Sequence, residues 1–123
     1  MSYKEHPATP KLLALLESRY ALRVLWALRD GHPQTFRLLQ DSVGTITPNT
    51  LNTRLKDLRG AGFIGHDSSG YRLTPSGLDL LKRLNDLHAF AIKWVAAQAQ
   101  ATENKASAAV APNAVTNSVN SLT

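Results

Sequence analysis

A helix-start signal that occurs three times sets the strongest constraint on the fold of this chain. The signal is a threonine followed directly by a proline, at Thr9-Pro10, Thr47-Pro48 and Thr74-Pro75. The threonine hydroxyl can accept a hydrogen bond from an amide of the first turn, and proline suits the first helical position because no amide partner is needed there. The sequence therefore predicts helices that begin near these three sites.

The helix that follows the middle signal has two different faces. Leu51, Leu55 and Leu58 share one side of a helical wheel, where they can hold the helix against a core. The other side carries asparagine and threonine, which are poor helix formers, so an ordinary solvated face is the weaker interpretation. The major groove of DNA admits one helix with such hydrogen-bonding groups. The predicted groove contacts are Thr47, Asn49, Thr50, Asn52, Thr53 and Lys56, with Arg54 at the groove edge.

The pattern changes from helical to extended directly after this helix. A glycine-rich stretch ends the helix, and short extended runs at 63–66 and 71–73 enclose a turn at 67–70, which predicts a β-hairpin. A hairpin placed after a helix-turn-helix is a wing. Arg72 either meets a DNA phosphate or is a solvated edge charge, and Arg37 in the preceding short helix is a further candidate for contact with the DNA backbone. The predicted wing contacts are Ser68, Ser69 and Arg72.

The remaining segments complete a mainly α (α+β) fold, a winged helix-turn-helix with a small β-hairpin wing and a long C-terminal dimerisation helix. Leucines after Pro10 predict the first helix, and further helices are predicted at 19–29, 34–41 and 75–98. Residues 9–97 are expected to form the DNA-binding domain after an N-terminal arm at 1–8. Residues 98–123 have too few large apolar side chains to offset the entropy of ordering, which predicts a disordered tail.

The final helix carries two apolar stripes rather than one. One stripe can pack on its own domain and the other on a second copy of the chain, together with the leucine-rich first helix. A dimer doubles the number of phosphate contacts and places two recognition helices about one DNA turn, roughly 34 Å, apart. The sequence thus predicts a homodimer through Leu12, Leu16, Leu80, Leu84, Leu87, Ala91 and Trp94.

Composition excludes several other classes of protein. The 123 residues allow one domain, and the absence of cysteine excludes disulfides, cysteine-ligated zinc and thiol chemistry. The four histidines fit no metal-ligand spacing, and no catalytic triad, carboxylate pair or P-loop is visible, so no enzyme activity, metal or cofactor is expected. The formal net charge of +5 permits binding to nucleic acid without requiring it.

Two further patterns bear on ligand class and location. Residues 60–65 match Gly-x-Gly-x-x-Gly, but a dinucleotide site needs a strand before this pattern and a helix after it, which is the reverse of the order here. The sequence shows neither a secretory signal nor an apolar run long enough to cross a membrane, so we expect no membrane partner and a cytoplasmic location.

Five stretches of the chain form a set of motifs in a fixed order: Phe36–Leu39, Ile46–Leu51, Arg54–Leu58, Ala61–Ile64 and Tyr71–Gly77. In motif, order and spacing they resemble the HxlR-type helix-turn-helix regulators. The resemblance covers about residues 6–95 and implies a bacterial, homodimeric winged-helix transcription factor that binds double-stranded DNA at a pseudo-palindromic operator, for which we expect a repressor role.

The chain departs from the family pattern in three places. His6-Pro7 stands where many members have Cys-Pro, so thiol-based sensing is not available. Ser18-Arg19-Tyr20 replaces the usual Gly-Lys-Trp, and the wing turn is shorter than in most members. The depth to which this wing enters a minor groove, the operator and a small-molecule effector all stay open.

Other interpretations remain beside DNA binding. A winged helix can act only as a protein-interaction module, which predicts no salt-dependent affinity for DNA. A small effector-binding protein or enzyme has no motif to support it. Trp26 and Trp94 are either core or dimer residues or the lining of an aromatic effector pocket, and His88 is expected to be a packing histidine rather than a ligand.

Overall fold

A computed structural model of the protein describes residues 6–114. Within that range the chain forms helices and one antiparallel hairpin in the predicted order, which makes it a mostly helical winged helix-turn-helix. The elements are α1 (Ala8–Leu16), α2 (Ala21–Ala27), α3 (Phe36–Val43), α4 (Pro48–Gly60), β1 (Ile64–Asp67), β2 (Gly70–Leu73), α5 (Pro75–Arg83) and α6 (Asn85–Ala114).

The helix α4 begins and ends where its sequence predicts. The Thr47 side chain accepts a hydrogen bond from the amide of Thr50 at 3.2 Å, and Pro48 occupies the first turn. The Ala61 amide donates to the carbonyl of Asp57 and closes the last turn. Local capping therefore fixes both ends of this helix.

The core lies between α2, α3, α4, α5 and the hairpin. The predicted stripe of α4 is confirmed, because Leu51, Leu55 and Leu58 are buried at its centre. Burial of these leucines leaves the opposite side of α4 outside the core. The other core side chains are Val24, Leu25, Leu28, Leu39, Val43, Ile46, Ile64, Leu73 and Leu81.

The hairpin is wider than its two strands because a third segment pairs with it. In β1 and β2, Ile64 lies opposite Leu73 and Asp67 lies opposite Gly70. Gln34 then pairs with Tyr71 through two backbone hydrogen bonds, of 2.8 and 2.7 Å. This bridge joins the hairpin, close to its turn, to the segment that leads into α3, and the sequence pattern did not predict it.

The first three helices differ from their predicted limits. Helix α1 begins at Ala8 after Pro7 rather than at Pro10. Helix α2 begins only at Ala21, because Tyr20 adopts a left-handed backbone conformation with φ of 74° that does not continue a helix. Helix α3 begins at Phe36, where the side chain of Thr35 caps it.

The C-terminal half differs more. The single helix predicted over 75–98 is two helices, α5 and α6, separated at Leu84, and α6 continues to Ala114. Helix thus replaces the expected disordered tail over 98–114, where alanine, the best helix former, is frequent. Residues 1–5 of the predicted arm and 115–123 of the predicted tail lie outside the described residues.

The chain divides between Arg83 and Leu84 into two units. The first contains the core described above. In the second, α6 exposes several large apolar side chains: Leu87, Phe90, Ile92, Trp94 and Val95. Among the helices of residues 6–114, none combines the length and apolar character needed to cross a membrane.

Candidate nucleic-acid interface

The outer side of α4 presents the polar surface that its sequence predicts. Thr47, Asn49, Asn52, Thr53 and Lys56 are exposed, and Thr50 is half-buried on one flank. The three buried leucines on the opposite side fix the helix to the core, so the polar groups are presented on a rigid helix. We call this outer side, Thr47 to Lys56, the polar face.

The side chains of the polar face differ in how far they are already engaged. The Thr53 hydroxyl donates a hydrogen bond to the carbonyl of Asn49 at 3.0 Å. The Thr47 hydroxyl donates one to the hydroxyl oxygen of Thr50 at 2.9 Å. In contrast, the side chains of Asn49, Asn52 and Lys56 make no hydrogen bond or ion pair within the described chain. Two amides and one ammonium group are therefore free to contact a ligand.

Arg54, which is expected at the groove edge, is engaged by partners within the protein. Its Nε donates to the carbonyl of Arg19 at 2.7 Å, and one terminal nitrogen lies 2.9 Å from a carboxylate oxygen of Asp57. Only 20% of its side chain is exposed. The structure thus gives Arg54 the role of joining α4 to the turn that precedes α2.

The wing holds its own arginine in a similar way. Arg72 lies 3.0 Å from a carboxylate oxygen of Asp67 and donates to the Ser69 hydroxyl at 2.6 Å. The hydroxyl and then the amide of Ser69, followed by the charge of Arg72, lower the pKa of Asp67 from its ordinary value. Ser68 is exposed at the tip. The structure shows Arg72 paired within the hairpin, which differs from a solvated edge charge, and its contact with a DNA phosphate stays a prediction.

One exposed cation of α3 and two near α2 remain available. Arg37 lies exposed in the first turn of α3 and forms no ion pair within residues 6–107. Arg19 and Arg23 lie with their guanidinium carbons 5.0 and 6.0 Å from the centre of the Tyr20 ring. Sequence reasoning did not single out this last pair, although two arginines four positions apart around a tyrosine are visible in the sequence.

The residues predicted for dimerisation fall in different environments. Leu12 and Leu16 of α1 and Leu80 of α5 are half-buried, and Leu16 and Leu80 pack against the core of the first unit. In the second unit, Leu87 and Trp94 are about half exposed, at 49% and 53%. The list is completed by Leu84 and Ala91, both half-buried. Helix α1 has no fully buried residue.

No group of three or more metal-ligating side chains occurs in the part of the chain that the structure describes. The available chemistry at the polar face is therefore hydrogen bonding and positive charge. Both suit the edges of DNA bases and the phosphate backbone.

Comparison with known proteins identifies the family of this fold. The model of the HxlR-like helix-turn-helix family matches residues 15–99. The structure of quinone-bound YodB from B. subtilis is 25% identical, with a TM-score of 0.64, and the match covers 71% of this chain and 98% of that one. No curated protein matches this chain.

Two other solved structures are less similar in sequence and show the fold alone. A protein from Thermoplasma volcanium GSS1, described as a possible HxlR family transcriptional factor, is 23% identical with a TM-score of 0.61, over 81% of this chain and 87% of that one. A transcriptional regulator of the MarR family from Enterococcus faecalis V583 is 20% identical with a TM-score of 0.64, over 81% and 96%. Because the family model spans more than half of its length, including α2 to α5 and the wing, this chain belongs to the HxlR-like helix-turn-helix family of DNA-binding transcription regulators.

Proposed function

We propose that the protein is a homodimeric repressor that reads a pseudo-palindromic operator with α4. The observation that carries this proposal is the exposed polar face, in which Asn49, Asn52 and Lys56 have no partner within the described chain. An asparagine side chain can form two hydrogen bonds with adenine, and a lysine can bind guanine or a phosphate. Thr47, Thr50 and Thr53 add hydroxyl groups along the same face.

The exposed apolar side chains of α6 support the dimer. Phe90, Ile92 and Val95 are 61%, 58% and 57% exposed. Large apolar side chains grouped in this way on a surface are typical of an interaction site. A second copy of the chain would cover such side chains and double the number of DNA contacts. The expected result in analytical ultracentrifugation at tens of micromolar is a dimer. A monomer at that concentration would contradict this part of the proposal.

A small-molecule effector of this protein cannot act by reacting with a thiol of the chain. One structure of YodB contains a bound quinone. Thiolate is the side chain that most readily adds to such electrophiles, and this chain has no cysteine. We infer that any effector binds here without a thiol adduct.

The test of DNA binding begins with a pull-down of genomic fragments, followed by fluorescence anisotropy on a recovered fragment at two salt concentrations. Lys56→Ala should weaken binding and lower the salt dependence, since a charge that contacts DNA is lost. Lys82→Ala on α5 is the matched control and should bind as the unaltered protein does. Absence of salt-dependent binding by the unaltered protein would instead favour a protein-interaction module.

The repressor role needs a separate measurement because DNA contact alone does not set its outcome. A reporter gene driven by the recovered fragment should be expressed less when the protein is present. The Lys56→Ala variant should restore expression. A rise in expression with the unaltered protein would show an activator and overturn the repressor assignment.

A further inference from the structure

A second positively charged group lies beside the polar face, at the turn between α1 and α2. Arg19 and Arg23 place their guanidinium carbons 5.0 and 6.0 Å from the centre of the Tyr20 ring. Both arginines are exposed, and neither pairs with a carboxylate within residues 6–107. We call Arg19, Tyr20 and Arg23 the arginine–tyrosine cluster. Two uncompensated charges held on one ring favour an anionic partner.

The backbone of this cluster is fixed in an uncommon conformation. Tyr20 has a φ of 74°, the only positive φ of a residue other than glycine in the described chain. Such a conformation persists only when the surroundings hold it, and it occurs often at functional sites. Here the half-buried Tyr20 ring packs against the core, and its hydroxyl donates to the carbonyl of Thr45 at 3.4 Å.

Two contacts place the cluster against the flank of the recognition helix. Thr45 lies in the loop that leads into α4, so the Tyr20 hydroxyl reaches the start of that helix. The Nε of Arg54 donates to the carbonyl of Arg19 at 2.7 Å. Thr50 lies one turn before Arg54 on the same flank of α4. The cluster therefore lies beside the N-terminal half of the helix that carries the polar face.

Arg54 contacts the backbone of Arg19 and not its side chain. Arg54 uses its side chain to hold the Arg19 carbonyl and the Asp57 carboxylate. The side chains of Arg19 and Arg23 are then left to the tyrosine ring and the solvent. Stacking on an aromatic ring limits the motion of a guanidinium group while its donors remain available, which suits binding of a phosphate with two hydrogen bonds.

We propose that Arg19 and Arg23, stacked on Tyr20, bind backbone phosphates at the edge of the groove that α4 enters. This inference rests on the proposed DNA-binding function and assigns it two contacts that are additional to the polar face of α4. Because phosphates carry no sequence information, these contacts set affinity and register rather than base preference.

The test compares salt dependence of binding among matched variants. The probe is a fluorescein-labelled duplex of mixed sequence of about 30 base pairs, long enough for two half-sites one helical turn apart. Each lost phosphate contact should lower the slope of log Kobs against log [KCl] by about 0.9. The double variant Arg19→Ala/Arg23→Ala should lose about 1.8 of slope for each bound protomer.

Three variants separate contact with DNA from a structural role. Arg29→Ala removes a guanidinium that stacks on Trp26 at 4.8 Å, at the other end of α2, and should leave the slope unchanged. Arg19→Lys/Arg23→Lys keeps the charges and should retain most of the slope. Tyr20→Phe keeps the ring but loses the hydroxyl, so its slope should also stay near that of the unaltered protein. Thermal unfolding of each variant verifies that it is folded.

The outcomes distinguish this inference from the proposed function. A reduced slope for the double alanine variant, with the lysine variant and Arg29→Ala near normal, supports the inference. A normal slope for the double alanine variant, while Lys56→Ala lowers it, overturns the cluster as a phosphate site and leaves the recognition helix in place. If the unaltered protein shows no salt-dependent binding, the proposed function itself is wrong.

Discussion

The recognition helix carries more of the predicted DNA contacts than the wing does, and the two elements present their contacts in opposite ways. On α4, Asn49, Asn52 and Lys56 are exposed and have no partner within the described chain. In the wing, Arg72 is paired with Asp67 and also donates to Ser69. A phosphate would have to compete with these partners for Arg72, whereas no partner in the described chain competes for Lys56.

The difference follows from how each element is held together. Helix α4 is stabilised by its buried leucines and its capped ends, and the side chains of Asn49, Asn52 and Lys56 on its outer side hold no other part of the described chain. The four-residue strands of the hairpin depend more on the side chains of their own turn. We infer that the polar side chains of this short wing bind one another, and that α4 makes most of the contacts with DNA.

The largest effect is expected from removing the support behind the polar face. Leu55 is 1% exposed, and Leu55→Ala should lower the free energy of unfolding by about 2–5 kcal/mol because a cavity replaces packed atoms. Urea unfolding measures the loss. Leu38→Ala, at a 57% exposed site in α3, is the control and should change the free energy of unfolding far less. Similar losses for the two variants would show that α4 is not anchored as described.

A smaller loss is expected beside the turn of the wing. Gly70 has a φ of 122°, and a Cβ at this position would lie 2.5 Å from the carbonyl oxygen of Gln34. Gly70→Ala should therefore lower the free energy of unfolding by about 1–3 kcal/mol through strain and displacement of the strand pairing. Gly65→Ala, where the nearest atom is 3.8 Å away, provides the control in the other strand. Equal stability of the two variants would contradict the close contact between Gly70 and the backbone of Gln34.

How well the sequence predicts each region depends on the range of the forces involved. Helix α4 is predicted to the residue because Thr47, Pro48 and the following leucines act within one or two turns. The partners of Arg54 and Arg72 are not predictable in this way, since they depend on where a distant turn or a tight hairpin places an oxygen atom. The sequence therefore predicts which residues form the candidate site. It does not predict which of its charged side chains are paired within the protein and which are free.

The helices outside α4 show two further limits of sequence reasoning. The left-handed Tyr20 has no local signal, because tyrosine rarely adopts this conformation and tertiary contacts maintain it. For 98–114, an argument from burial predicts disorder, whereas the helix propensity of alanine accounts for the helix that is observed. Propensity and burial need to be weighed together where a segment has few large side chains.

Binding measurements compare the two regions directly. Lys56→Ala should lower the slope of log Kobs against log [KCl] by about 0.9 for each protomer bound. Arg72→Ala should leave the slope nearly unchanged, because its charge is already paired with Asp67. If Arg72→Ala lowers the slope as much as Lys56→Ala does, the wing exchanges Asp67 for a phosphate on binding, and the contrast between the two regions does not hold in the complex.

The smallest effect is the pH dependence of the wing turn. The Ser69 hydroxyl, its amide and the charge of Arg72 lower the pKa of Asp67 below its ordinary value of 3.8. A lowered carboxyl pKa contributes stability that is present above the ordinary value and is lost as the pH falls through the lower, folded value. The wing turn should therefore stay intact at neutral pH and loosen only below 3.8. The amide of Ser69 donates to Asp67 at 2.8 Å, so its NMR chemical shift reports the titration. In Asp67→Asn this transition should disappear; an unchanged transition would mean that another group controls the turn and that Arg72 is held by something other than this carboxylate.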